Sequence, residues 1–103
     1  MVHQSQISFD FTHDGNYDYQ LLVDEITTAL ENLGNIYVLG VDFYSVDYPE
    51  YEEKGIPVSQ CGVDIEWPED HPYDEAEIED ALFDVMFLNA NAELIGINFE
   101  SLE

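Results

Sequence analysis

Basic residues are almost absent from this chain of 103 amino acids. It has no arginine and one lysine, Lys54, against 24 aspartate and glutamate residues, so its formal charge is −23 at pH 7. A surface of this sign repels nucleic acids and anionic lipids, and we expect neither as a direct partner. The lack of cationic side chains also leaves little to bind an anionic substrate or to stabilise an oxyanion.

Cysteine and long apolar runs are equally scarce. The single cysteine, Cys61, cannot form an internal disulfide, which favours a reducing compartment. The first residues lack a basic segment followed by an apolar one, so we expect no signal peptide. No apolar run approaches the ~18 residues of a membrane span. These absences predict a soluble cytoplasmic protein without a membrane partner.

Recognisable catalytic and metal-binding patterns are missing as well. The chain has no glycine-rich phosphate loop and no nucleophile elbow, and its three histidines show no metal-ligand spacing. Asp14, Asn16 and Asp18 partly match a calcium-binding loop, but Tyr19 stands where that loop needs glycine for its sharp turn. We therefore predict that the chain is not an enzyme and holds no metal and no cofactor.

Apolar and aromatic residues, by contrast, are plentiful, at 46% and 14% of the chain. Acidic chains stay disordered when their apolar content is low, which is not the case here. The length suffices for a hydrophobic core without disulfide or metal support. We expect residues 1–103 to form a single acidic α+β domain.

The spacing of apolar residues predicts four strands and two helices. Strict alternation predicts strands over residues 7–12, 35–46, 58–67 and 95–99. Helical spacing predicts a first helix that starts near Tyr17 and is ended by Gly34. A second helix follows the capping residue Asp74 and stops at 89–91. Residues 47–57, which include two prolines, are predicted to be a polar loop.

This β-α-β-β-α-β order is that of the ferredoxin-like arrangement, a single antiparallel four-stranded sheet with two helices on one face. Another α+β sandwich with the same order is the alternative. Within the second strand, Leu39, Val41 and Phe43 are predicted to point inward. The other face of the sheet is left open, and the outward positions predicted to line it are Asp10, Asp42, Tyr44, Asp64, Glu66, Asn98 and Glu100.

The acidic residues are concentrated in the second half of the chain, with 14 of the 24 between residues 47 and 84. Tyr48, Tyr51, Trp67 and Tyr73 are interspersed among them, and such rings are common interface anchors. The alternative is that they hold the loops against the domain. We predict a partner-binding surface made of Asp47, Tyr48, Glu50, Tyr51, Glu52, Glu53, Asp64, Glu66, Glu69, Asp70, Asp74, Glu75, Glu79 and Asp80.

The amount of charge invites comparison with DNA. A spherical domain of this length has a diameter of about 33 Å, and about 20 phosphates lie along that length of duplex. Small size, extreme acidity and interspersed aromatic residues resemble the acidic DNA-mimic inhibitor proteins of phages and mobile elements. The resemblance implies a protein that occupies the basic DNA-binding site of a restriction enzyme, CRISPR effector, repair enzyme or nucleoid protein. Carboxylates would replace phosphates, and a phage-encoded inhibitor would act in the host cytoplasm.

Two other functions fit the same composition. An immunity protein or antitoxin would use the same electrostatic attraction to neutralise one basic toxin. An ordinary domain from a halophile would be acidic through adaptation to salt. Such proteins usually have few large apolar residues, whereas this chain has many. Because open sheet edges can pair, a homodimer is compatible with each of these functions.

Overall fold

The computed structural model describes residues 2–13, 15 and 17–102. In chain order, these residues form β1 (Val2–Thr12), α1 (Tyr19–Glu31), β2 (Tyr37–Ser45), α2 (Pro49–Glu52), β3 (Val58–Pro68), α3 (Glu75–Ala90) and β4 (Glu93–Ser101). The strands form one antiparallel sheet in the order β2-β3-β1-β4. The predicted α+β, ferredoxin-like arrangement is therefore confirmed.

The two central strands, β1 and β3, supply the floor of the hydrophobic core. Alternate residues of β1 are buried, and Ile7 and Phe11 have no exposed surface. In β3, Cys61, Val63 and Ile65 are equally inaccessible and lie on the same side. Burial of one such apolar side chain stabilises the fold by roughly 1.5–3 kcal/mol. The alternation of apolar and polar residues therefore fixes which sheet face is buried.

Helices α1 and α3 pack on that apolar face and against each other. In α1 the buried residues Leu22, Ile26 and Leu30 recur every four positions and form one stripe. In α3 the buried stripe includes Ile78 and Leu82. Both stripes belong to the same hydrophobic cluster as the inward residues of the strands. Both helices thus lie on one face of the sheet, and the opposite face is left open.

Both long helices have an aspartate N-cap, and a residue in the left-handed conformation lies at or just after the C-terminus of each. The Asp18 carboxylate accepts a hydrogen bond of 3.1 Å from the backbone N–H three residues on, and Asp74 accepts one of 2.9 Å from the backbone two residues on. The predicted cap at Asp74 is confirmed. Gly34 has a φ of 92° just after α1, and Asn91 caps α3 with a φ of 49°.

The structure corrects three predicted boundaries. β1 begins at Val2 rather than at residue 7, because pairing with β3 extends through its polar N-terminal half as far as Pro68. The predicted loop 47–57 contains the short helix α2, which has a proline in its first turn. β4 covers Glu93–Ser101 rather than 95–99, because its pairing with β1 extends to both of these ends, whereas α3 ends at Ala90 within the predicted stop at 89–91.

The predicted inward position of Leu39 is wrong. The register between β2 and β3 shifts between Val38 and Gly40, which leaves Leu39 without a partner in β3. This bulge interrupts the alternation of the strand. Val38 packs against the core instead, whereas Leu39 is 46% exposed.

Candidate functional site

The face of the sheet opposite the helices, here called the open face, is polar and acidic. Its outward positions follow from the strand register, because residues directly opposite each other in adjacent strands point to the same side. Its carboxylates are half-buried or exposed and are those of Asp10, Asp42, Asp64, Glu66 and Glu100. These are the positions that the alternation in the sequence predicts for this face.

Two of these carboxylates are held by hydrogen bonds. The Asp10 Oδ1 atom accepts a bond of 3.1 Å from Gln60 Nε2, and its Oδ2 atom accepts one from the Tyr48 hydroxyl. The Asp64 Oδ1 atom accepts a bond of 3.1 Å from Gln6 Nε2. The bond to Asp10 raises the pKa of Tyr48, because ionisation of the phenol would remove the proton that it donates. Neutral donors therefore fix these carboxylates without cancelling their charge.

Glycines make the open face shallow between its acids. Gly40, Gly62 and Gly96 stand at outward positions of three different strands. A Cβ atom at Gly62 would lie 3.8 Å from the Tyr44 ring, so that ring extends beside the glycine. A depression of about 360 Å³ lies beside Gly96 and is lined in part by Asp10. The open face is therefore recessed at these glycines, beside the exposed ring of Tyr44.

The segment of residues 46–57, here called the α2 loop, carries a second group of acids. Asp47, Glu50, Glu52 and Glu53 are all exposed. Tyr48 joins this loop to the open face through its bond to Asp10.

The two tyrosines of the α2 loop contact each other and the lysine. The rings of Tyr48 and Tyr51 lie 6.0 Å apart, and the Lys54 ammonium is 5.9 Å from the centre of the Tyr51 ring. Within the described part of the chain, Lys54 forms no salt bridge with a carboxylate. Tyr48 thus holds the loop to the domain, as the alternative interpretation of these rings requires.

The remaining predicted residues lie on the helical side or in the turn that precedes α3. Asp74 caps α3, and Glu75, Glu79 and Asp80 project from its exposed surface. In the turn, Glu69 and Asp70 are exposed, and Glu69 lies 3.7 Å from His3 Nε2. The structure therefore divides the predicted surface into two parts. Asp64 and Glu66 belong to the open face, to which the α2 loop is joined, whereas the α3 residues are on the other side of the sheet.

Sequence reasoning missed one apolar feature of the helical side. Phe83, Phe87 and Leu88 are 50–77% exposed on α3. Phe83 and Phe87 are four residues apart and out of phase with the buried stripe, so the helical period alone could have placed them on a second face.

A cavity of about 340 Å³ lies at the end of the sheet where α1, β2 and β3 meet. His13, Tyr17, Tyr19, Tyr48 and Glu52 are among the residues that line it. The rings of Tyr17 and Tyr19 lie 4.8 Å apart, as do those of His13 and Tyr17. Burial raises the pKa of Tyr17 to about 12. This cavity joins the first turn of α1 to the α2 loop.

A serine and a histidine pair at this cavity. His13 Nε2 is 2.9 Å from the Oγ atom of buried Ser59, and His13 Nδ1 accepts a 3.0 Å bond from the Gly15 N–H. A ring whose Nδ1 accepts is assigned as the tautomer in which Nε2 carries the proton and donates. In that tautomer Nε2 donates to the Ser59 Oγ atom. The prediction that the chain is not an enzyme remains a prediction.

The partial calcium pattern lies mostly outside the described residues. Asp14 and Asn16 lie outside the described residues, while Asp18 uses its carboxylate to cap α1. Among the residues that are described, no group of three or more His, Cys, Asp or Glu side chains is arranged to hold a metal ion. Burial raises the pKa of the Cys61 thiol, which keeps it in the unreactive protonated form.

None of the helices within the described ranges is both long and apolar enough to cross a membrane.

No protein-family model matches this chain, and no curated protein matches it. A similar fold occurs in a solved structure of the full extracellular region of zebrafish Gpr126/Adgrg6. The two superpose with a TM-score of 0.63 and 12% sequence identity over 99% of this chain. This chain spans 14% of the length of that one. A likeness at this identity supports the fold alone.

Proposed function

We propose that this protein is a DNA-mimic inhibitor that occupies the basic DNA-binding site of another protein. The observation that carries the proposal is the open face, where strand register holds five carboxylates and no lysine or arginine is interspersed. A merely solvated surface usually mixes both signs, because basic residues relieve the repulsion between acids. Without basic residues, the repulsion between the acids lowers the stability of the fold. This cost is explained if the negative charge serves to bind a basic partner.

The dimensions of the protein support the comparison with a duplex. The described residues extend 47 Å along their longest axis, so the protein is more elongated than a sphere of about 33 Å. Without Asp14 and Glu103, which lie outside the described residues, the formal charge is −21, or one charge per ~2.2 Å of this length, whereas duplex DNA has one per ~1.7 Å of its axis. The two linear charge densities agree to within about a quarter.

The proposed mechanism is competition by carboxylates that stand in for phosphates. Arginine binds a carboxylate with the same pair of parallel hydrogen bonds that it makes to a phosphate. The exposed rings of Tyr37 and Tyr44 on the open face offer flat surfaces for the same guanidinium groups. The field of the whole protein would speed the encounter, so association should be fast and should slow steeply with added salt.

We assign the principal contact to the open face together with the α2 loop. The strand ladder fixes the backbone beneath these carboxylates, and Gln6, Gln60 and Tyr48 orient two of them. A surface that is ordered before binding loses less conformational entropy when its partner docks. The acids of α3 face away from this surface and would contribute mainly to the long-range field.

The test is capture of a partner from a lysate of the organism that encodes the chain, or of its host. Immobilised protein should retain a DNA-binding protein that is released by salt and displaced by duplex DNA. Bait in which Asp42, Asp64, Glu66 and Glu100 are changed to the corresponding amides is the matched control and should retain much less of it. A retained partner that is indifferent to duplex DNA would contradict the proposal and would favour an immunity protein or antitoxin.

A further inference from the structure

The cavity at the end of the sheet combines aromatic walls with a carboxylate. Tyr17, Tyr19 and Tyr48 line it together with Glu52, and its volume is about 340 Å³. This is near the lower limit of the usual range for ligand sites, so the space suits one side-chain head group rather than a large cofactor. The chain's only lysine is not among the lining residues.

The rings of this cavity are held in place by their neighbours. Tyr17 and Tyr19 contact each other at 4.8 Å, with their planes inclined at 59°. The Tyr19 ring also meets Phe43 edge-on at 5.3 Å, although 58% of Tyr19 is exposed. The Tyr48 hydroxyl is bound to Asp10, which fixes that ring from the other side. The walls are therefore preformed, and binding need not order them.

Glu52 is placed on the cavity by the short helix α2. It follows Tyr48 by four residues, and its backbone N–H donates to the Tyr48 carbonyl oxygen at 2.9 Å. Residues four apart in a helical turn lie on the same side, so both contribute to the lining. Glu53, the next residue, is exposed but is not part of the lining. One acidic residue of α2 thus lines the cavity, and the next one does not.

These features select for an organic cation. The faces of tyrosine rings attract positive charge, and a concave site on a protein of charge −23 concentrates the negative potential. Among protein cations, the guanidinium group is planar, stacks on aromatic rings and can donate two parallel hydrogen bonds to one carboxylate. An ammonium group can use the charge but neither the stacking nor the paired hydrogen bonds.

We propose that this cavity is a binding site for the guanidinium group of an arginine side chain presented by a polypeptide. The tyrosine rings would enclose the planar cation and Glu52 would pair with it. The inference goes beyond the proposed function, because it holds whether or not the arginine belongs to a DNA-binding protein. If DNA failed to displace a captured partner, the proposed arginine site would be unaffected. If the arginine site failed its own test, the open face would remain the proposed DNA mimic.

The test uses the whole chain and a capped pentapeptide, Gly-Gly-Arg-Gly-Gly amide, at 150 mM salt. Nuclear magnetic resonance should show saturable shifts of the Tyr17, Tyr19 and Tyr48 ring signals with roughly millimolar affinity. The same peptide with citrulline, which has nearly the same shape but no charge, should give no saturable shift. Free arginine, whose own carboxylate is repelled, should bind more weakly than the peptide.

Two variants of equal charge complete the experiment. Glu52→Gln should weaken binding of the arginine peptide about tenfold, because the paired hydrogen bonds to a carboxylate are lost. Glu53→Gln removes the same charge from the same short helix and should leave the affinity within twofold of the parent. Absence of saturable shifts, equal binding of the citrulline peptide, stronger binding of free arginine than of the peptide, or equal weakening by the two variants would overturn the proposal.

Discussion

The two faces of the sheet are built from the same strands and differ in almost every physical property. The face beneath the helices buries Phe9 and Ile65 in a continuous hydrophobic core. Their neighbours in the same strands, Asp10 and Asp64, lie on the open face. Strand geometry has a period of two, so a single alternating pattern encodes a core and a charged surface together. Position in the strand decides which residues affect stability and which are available to a partner.

The acidic residues of the open face also differ from those of α3 in their surroundings. Both sides carry several acids. Those of the open face stand on paired strands, where neutral donors such as Gln6 and Gln60 bind two of the carboxylates. On α3 the acids stand on a helix whose surface also exposes Phe83 and Phe87. The proposed function assigns the partner contact to the open face rather than to α3.

The largest effect is expected from the buried face. Phe9→Ala should lower the free energy of unfolding by about 3–5 kcal/mol, because it leaves a cavity in the central strand. The adjacent change Asp10→Asn should alter it by less than about 1 kcal/mol, since the amide oxygen can still accept from Gln60 and the amide N–H can donate to the Tyr48 hydroxyl oxygen. Urea unfolding followed by circular dichroism measures both. Similar losses in the two variants would show that the faces are not separated as described.

The next effect distinguishes the two acidic sides. Neutralising Asp42, Asp64, Glu66 and Glu100 together should weaken binding of the captured DNA-binding partner by about 1–4 kcal/mol, at ~0.2–1 kcal/mol for each exposed pair lost. Isothermal titration calorimetry gives the affinity.

The matched control for that variant neutralises four acids of α3, namely Glu75, Glu79, Asp80 and Asp84. It removes the same number of charges, so the two variants have the same net charge. The α3 variant should therefore lose clearly less affinity than the open-face variant. A larger loss in the α3 variant would move the interface to the helical side and refute the assignment made above.

The alternation of apolar and polar residues also decides how much of the fold and of the open face could be predicted from the sequence. The periods of two and of four residues predict the four strands, the two long helices and the five acids of the open face, because each depends on local spacing alone. The exposure of Leu39 could not be predicted, since it depends on a bulge in the pairing with β3. Nor could the bond from Tyr48 to Asp10, which joins residues 38 positions apart.

The cavity shows the same limit. Tyr17, Tyr48 and Glu52 come from two separate segments, and only the docking of the α2 loop at the end of the sheet brings them together. The sequence does show that Tyr48 and Glu52 are four residues apart. It cannot show that this spacing falls in a helical turn, because two prolines and a glycine favour a loop over residues 47–57.

The smallest effect is expected at high pH, at the two tyrosines beside the cavity and the open face. The pKa of Tyr17 is raised by burial to about 12, above the ~10 of an unfolded chain. The folded state therefore holds more protons than the unfolded state between these values. This contribution to stability is complete below pH 10 and is lost as the pH rises towards 12.

Tyr17→Phe removes the titrating group and should make the free energy of unfolding fall less steeply between pH 10 and 12. Tyr48→Phe should act in the same direction, because the pKa of Tyr48 is also raised. Tyr37→Phe, on the exposed part of the open face, is the control for removal of a phenol. Parallel pH profiles for the parent and the Tyr17 variant would show that this phenol does not couple ionisation to folding.

The central claim is that the open face competes with DNA for one binding site. The most direct measurement is the apparent dissociation constant between this protein and its captured partner at several concentrations of a 20-base-pair duplex, at constant salt. Competition predicts that the apparent constant rises in proportion to the free duplex concentration once the duplex exceeds its own dissociation constant. An apparent constant that stays unchanged, with protein and duplex bound to the partner together, would contradict the account.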